Sequence, residues 1–138
     1  MLRVFGARIG KRVSVAASAK VWYPPNLILH DAVVIAPNVD LYCVAPIEIG
    51  ARSIVSQYSY LCSASHDYTQ DKMPLIAKPI SVGETTWICA RAFIGPGASV
   101  GNLCVVGACA VVMKDVDDRC VVAGNPATVV KQNTLHSS

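Results

Sequence analysis

Apolar residues recur at every sixth position of this chain, a spacing that fits neither the 3.6-residue helical period nor strand alternation. One register runs Ile9, Val15, Val21, Leu27, Val33, Val39. A second holds Ile49, Val55 and Leu61, and a third Val82, Ile88, Ile94, Val100, Val106 and Val112. Glycine follows the apolar anchor at Gly10, Gly50, Gly83, Gly95, Gly101 and Gly107. A small residue often stands four after it, as at Ser53, Ser59, Ser65, Thr86, Ala92, Ala98, Cys104 and Ala110. Such a unit predicts a short strand and a corner: the anchor points inward, the small residue fits a tight interior, and glycine relieves the turn. Three units close a triangular coil, and stacked coils pair their strands at about 4.8 Å. The expected fold is all-β, one domain over 1–138 with about five coils (about 9–66 and 82–117), an excursion loop (about 67–81) and a C-terminal segment (about 118–138).

Two breaks interrupt the period. Val39 and Ile49 stand ten residues apart, an excursion around Tyr42-Cys43-Val44-Ala45-Pro46. Leu61 and Val82 stand 21 apart, and His66, Asp67, Tyr68, Thr69, Gln70, Asp71 and Lys72 between them hold most of the local polarity. Loops that interrupt a rigid scaffold are where function concentrates. After Val112 the pattern fades through Asp115-Val116-Asp117-Asp118 into Cys120-Val121-Val122-Ala123 and a turn at Gly124-Asn125-Pro126.

Composition narrows the function classes. With 53% apolar and 15% charged residues, the chain buries enough surface to exclude disorder. A net charge of +3 is too small to point to nucleic acid. Ala92 to Met113 is an uncharged run long enough to span a bilayer. Gly95, Pro96, Gly97, Gly101, Asn102 and Gly107 punctuate it at turn spacing, so no span is expected. Met1-Leu2-Arg3-Val4-Phe5 leads into Gly6 and Arg8 without a long apolar region, so the expected location is cytoplasmic. Cys43, Cys62, Cys89, Cys104, Cys109 and Cys120 form no CxxC pair and have no histidine at zinc-finger spacing. They are expected to be reduced packing residues, with no metal.

The chain resembles the hexapeptide-repeat acyltransferases, and within them the colanic-acid-type exopolysaccharide acetyltransferases. The matching stretches are Phe5-Gly6-Ala7-Arg8-Ile9-Gly10, Val21-Trp22-Tyr23-Pro24, Ala45-Pro46-Ile47, Ile54-Val55-Ser56-Gln57, Tyr60-Leu61-Cys62, Ser65-His66-Asp67-Tyr68, Trp87-Ile88, Ala90-Arg91-Ala92-Phe93 and Val122-Ala123-Gly124-Asn125-Pro126-Ala127. The resemblance implies a left-handed parallel β-helix, a homotrimer with its sites between subunits, and acetyl-CoA as co-substrate. It implies O-acetylation of a sugar or polysaccharide precursor, with His66 as general base. Asp40, Tyr42 and Asp67 are the candidate acceptor contacts. Trp87, Ala90, Ala108, Met113, Lys114 and Lys131 are the candidate cofactor contacts, the two lysines meeting phosphates as point charges. Met113, Thr128 and Asp117-Asp118 depart from the residues frequent in that family.

Acyl transfer from a thioester to a hydroxyl needs a base near neutral pKa and two positioned substrates, and His66 on a polar interruption suits the first need. Other readings remain open: a xenobiotic, serine or amino-sugar acetyltransferase of the same fold, or a non-catalytic scaffold. A zinc enzyme of this architecture fits poorly. His30 and His66 are two nominal coils apart but out of phase, and His136 lies in the tail.

Overall fold

The computed structural model describes residues 1–134, and His136 lies outside them. The chain winds as a parallel β-solenoid with three faces. Face one stacks Arg8–Ile9, Leu27–Leu29, Ile47–Ile49, Ile80–Val82 and Ser99–Val100. Face two stacks Ser14–Val15, Val34–Ile35, Ile54–Val55, Trp87–Ile88, Val105–Val106 and Cys120–Ala123, and Thr128–Gln132 closes it antiparallel. Face three stacks Lys20–Val21, Asp40–Tyr42, Tyr60–Cys62, Phe93–Ile94 and Val111–Val112. Five complete turns result, plus a partial sixth that the sequence pattern does not announce. There Val116 bridges Val100, and Cys120–Ala123 pairs with Val105–Val106.

Register differs from the hexad reading in the second coil. Ile9 pairs with Leu29 and Leu29 with Ile49, while Val15 stacks through Ile35 to Val55. The anchors there are therefore Leu29, Ile35 and Leu41, not Leu27, Val33 and Val39. The reason is that each side of the triangle sends two residues inward, two positions apart. Elsewhere the second inward row is mostly small, as at Ser53, Ser59 and Ala92, with Ile47, Ile80 and Val13 the larger members, but in this coil it is Leu27, Val33 and Val39 throughout. Both rows are apolar and buried, so periodicity alone could not choose between them. The ten-residue break consequently resolves into two shorter insertions, around Pro24–Asn26 and around Cys43–Pro46.

The corners also work differently from the expectation. The left-handed backbone falls three residues after the anchor, at Arg12, Ala32, Asn38, Arg52, Tyr58, Thr85, Arg91, Leu103, Cys109 and Arg119, with glycine only at Gly97. The glycines that follow anchors serve close approach between coils. A Cβ at Gly50 would lie 2.5 Å from the carbonyl carbon of Gly83, and one at Gly83 2.6 Å from that of Gly101.

Buried polar side chains in the small row satisfy the backbone between coils. Ser53 Oγ donates to Gly83 O, Ser59 Oγ to Cys89 O and Thr86 Oγ1 to Gly101 O, each at 2.7–2.8 Å. No helix among the described residues is long and apolar enough to cross a membrane. All six cysteines are free thiols, and burial pushes those of Cys43, Cys89 and Cys104 up.

Candidate active site

The insertions gather on one edge of the prism, where face three turns into face one. Trp22 to Asn26, Cys43 to Pro46 and a large excursion stack there in the first three coils. Asn26 Nδ2 donates to Val44 O at 2.8 Å, and Ala45 N donates to Ser63 Oγ at 2.9 Å, which ties the three levels together. The excursion occupies 63–79 rather than 67–81: Ala64–His66 leaves the coil as one arm of an antiparallel hairpin with Leu75–Ala77, and Ile80–Val82 is already back in face one.

His66 is exposed at the end of the outgoing arm, paired in register with Leu75. Its Nδ1 lies 2.8 Å from Met73 O. A carbonyl only accepts, so Nδ1 carries the proton and a neutral ring presents Nε2 as a proton acceptor. The orienting group is thus a main-chain carbonyl, which no sequence motif could reveal. Asp67 makes no hydrogen bond to the ring. Its Oδ1 accepts from Thr69 N at 3.1 Å and Thr69 Oγ1 at 2.5 Å, and its Oδ2 accepts from Gln70 Nε2 at 2.8 Å. The Thr69 and Gln70 side chains, then the Thr69 amide, hold its carboxyl below the ordinary aspartate value.

On face three beside this edge, Asp40 Oδ1 accepts from Trp22 Nε1 at 2.7 Å. Tyr42 meets Trp22 edge-on, with centroids 5.2 Å apart, and the row continues through Tyr60 to Phe93. Burial, and then the Cys62 side chain, push the Tyr60 hydroxyl up to about 12, so it stays protonated. Hexad spacing could not show this aromatic ladder, because its members become neighbours only when the coils stack.

The candidate cofactor residues fall into two groups. Trp87 lies on face two with Nε1 donating to Ser56 Oγ at 2.8 Å, and Ala90 and Ala108 follow on the next edge, where Cys109 N donates to Ala90 O. Lys131 is exposed on the antiparallel strand that closes face two. Met113 and Lys114 sit on the His66 edge instead, Met113 against Gly95. Neither lysine is in an ion pair among the described residues. Of the departing residues, Asp118 is engaged structurally: its Oδ1 accepts from Asn102 N at 2.8 Å. His30 pairs with Glu48 on face one at 2.8 Å, one residue past Leu29, well apart from the excursion.

The chain by itself therefore does not unite its candidate groups. His66 leaves one edge, while Ala90 and Ala108 occupy another, a full face away. That is one hexad of near-extended chain, roughly 20 Å at most. Apolar side chains stand outward on two of the faces, Val34, Ile54 and Trp87 more than a third exposed on face two and Tyr42, Tyr60 and Phe93 half-buried on face three, beside the polar Ser14 of face two and Lys20 and Asp40 of face three.

No protein-family model matches the chain. Among curated proteins it is 42% identical over 132 residues to a protein of Escherichia coli K12 named as colanic acid biosynthesis acetyltransferase WcaF, spanning 96% of this chain and 72% of the relative. Among solved structures, a maltose O-acetyltransferase from Clostridium difficile superposes with a TM-score of 0.90 at 26% identity, over 97% of this chain and 73% of the other. A hexapeptide-repeat acetyltransferase from Vibrio cholerae, solved with acetyl coenzyme A, gives a TM-score of 0.90 at 27% identity, over 96% and 74%.

Proposed function

The chain belongs to the hexapeptide-repeat acetyltransferases, left-handed parallel β-helix enzymes, and on that premise we propose that it acetylates a hydroxyl of a sugar or polysaccharide precursor with His66 as general base. The observation that carries this reading is the tethered imidazole. Met73 O fixes the tautomer, and Nε2 makes no hydrogen bond among the described residues. Nε2 takes the proton of the acceptor hydroxyl as that oxygen attacks the thioester carbonyl. The tetrahedral intermediate then collapses, the carbon–sulfur bond breaks, and the imidazolium returns its proton to the leaving thiolate. Asp67 serves by holding the loop that carries the base. Asp40 and Tyr42 are the acceptor contacts proposed on face three.

Acetyl-CoA is the donor in this reading, and the residues present suit it. Ala90 and Ala108 present small side chains on this edge, beside Arg91 stacked over Tyr58, where an extended pantetheine arm can follow the backbone. Trp87 flanks that edge, and Lys131 offers a charge to phosphate. Met113 and Lys114 belong to the opposite edge, so they complete the cofactor set only from a neighbouring subunit. This supports a cyclic homotrimer whose site joins the His66 edge of one subunit to the Ala90–Ala108 edge of the next.

The test is a thiol-release assay with acetyl-CoA against simple sugars, oligosaccharides, serine, amino sugars and drug-like alcohols. Turnover confined to sugar hydroxyls is the expected result. Preference for an amine or a drug alcohol contradicts the acceptor assignment. Mixing inactive His66→Ala with inactive Ala108→Trp, under conditions that exchange subunits, restores part of the activity if sites are shared. No recovery places the whole site in one subunit.

A further inference from the structure

We infer that Trp22 floors a second sugar subsite, so that the preferred acceptor is a glycan chain of about three residues or more rather than a free monosaccharide. This rests on the sugar-acceptor reading above and extends it. Trp22 and Tyr23 stand 58% and 54% exposed on the edge that also bears the His66 hairpin. An exposed indole is ordinarily free to rotate, but this one is fixed twice. Nε1 donates to Asp40 Oδ1 at 2.7 Å, and the ring meets Tyr42 edge-on at 5.2 Å with an interplanar angle of 89°. Tyr42 is backed in turn by Tyr60 and Phe93. The second oxygen of Asp40 accepts no hydrogen bond among the described residues. A rigid aromatic face beside a carboxylate with a free oxygen is the chemistry that recognises a pyranose: its C–H face packs on the ring and a hydroxyl donates to the carboxylate.

Position along the edge gives the length. Trp22 belongs to the first coil and the His66 hairpin leaves from the third, with the three levels hydrogen-bonded in register through Asn26, Val44, Ala45 and Ser63. Two coil rises are about 10 Å, close to the length of two sugar units in a chain. A glycan whose reacting hydroxyl meets His66 Nε2 thus carries its distal sugar onto Trp22, passing Asp40 and Tyr42.

The experiment uses gluco- and galacto-oligosaccharides of one to four residues with the full chain. In a Trp87→Phe background Trp22 is the remaining tryptophan, so its fluorescence reports binding without requiring turnover. The expected change grows from one residue to three and then levels. In the otherwise native enzyme, Trp22→Ala lowers kcat/KM for the trisaccharide about tenfold through KM, with kcat kept and a much smaller loss for the monosaccharide. Trp22→Phe, which keeps a flat ring, recovers part of the loss. Fluorescence and kcat/KM that do not depend on chain length overturn the subsite, as does an equal loss for both acceptors in Trp22→Ala. If sugars are acetylated but chain length is irrelevant, only this inference falls. If no sugar of any length is acetylated, the sugar-acceptor reading falls with it.

Discussion

Gly83→Ala should destabilise the solenoid more than Gly97→Ala, although Gly97 has the left-handed backbone and Gly83 does not. An added Cβ at Gly83 would stand 2.6 Å from both the carbonyl carbon and oxygen of Gly101, where ordinary contacts begin at 3.4 Å. The fourth and fifth coils must therefore part by roughly 0.8 Å at this edge. Three hydrogen bonds cross the gap there: Gly83 N to Val100 O at 2.8 Å, Leu103 N to Glu84 O at 2.9 Å, and Glu84 N to Asn102 Oδ1 at 2.8 Å. Parting stretches them to about 3.6 Å, beyond useful range. Losing two or three at about 1 kcal/mol each, against a gain of about 0.4–1 kcal/mol from the stiffer unfolded chain, leaves a cost of about 2 kcal/mol. At roughly 4 °C per kcal/mol for a chain of this size, Tm falls by about 8 °C. Gly97→Ala meets only the flexible Lys78 side chain at 3.3 Å and has the left-handed penalty of about 1 kcal/mol, or about 4 °C. Calorimetry or circular dichroism melting of the two variants decides the matter. A smaller drop for Gly83→Ala than for Gly97→Ala refutes the argument that the glycine column serves coil approach.

Thiol titration of the unfolded chain without reductant should find six free cysteines; in the native state the exposed Cys109 should react before Cys43 and Cys104, whose thiols burial holds protonated. Four or fewer thiols would reverse the unbridged assignment. The Asp67 carboxyl lies below its ordinary value, so its support of the loop is complete above the usual aspartate pKa of about 3.9 and is lost as pH falls through the lowered one. Hydrogen exchange at Thr69 and Gln70 should therefore hold steady down to about pH 4 and accelerate below, relative to the intrinsic rate. Asp67→Asn should show the faster exchange already at neutral pH, and equal protection in the two proteins would contradict the loop-holding role.

Much of the architecture is legible in the sequence, because few folds besides a triangular coil turn Ile, Leu and Val inward at every sixth residue. Legibility fails where two inward rows are equally apolar, at Leu27, Val33 and Val39, so that periodicity sets the second coil two positions early. It fails again at the corners, because stacking forces Arg12, Tyr58 or Leu103 into the left-handed region that composition assigns to glycine. The sixth turn is hidden because Asp115, Asp117 and Asp118 flank the inward Val116 that opens it. At the candidate site, His66 stands out as a polar interruption, but its tether to Met73 O is main-chain and leaves no mark on residue identity. Trp22, Asp40 and Tyr42 meet only through stacking, since 18–20 residues of chain separate Trp22 from the other two.

Turnover of His66→Ala beside His30→Ala tests the catalytic assignment most directly. Both residues are exposed histidines on the same scaffold, but one is tethered on the excursion and the other is paired with Glu48 on face one. Acetyl transfer should fall by about 10²–10⁴-fold in His66→Ala, with the melting temperature and acetyl-CoA affinity nearly unchanged, while His30→Ala keeps most of its activity. Retained turnover in His66→Ala, or an equal loss in His30→Ala, would contradict the assignment of His66 as the base.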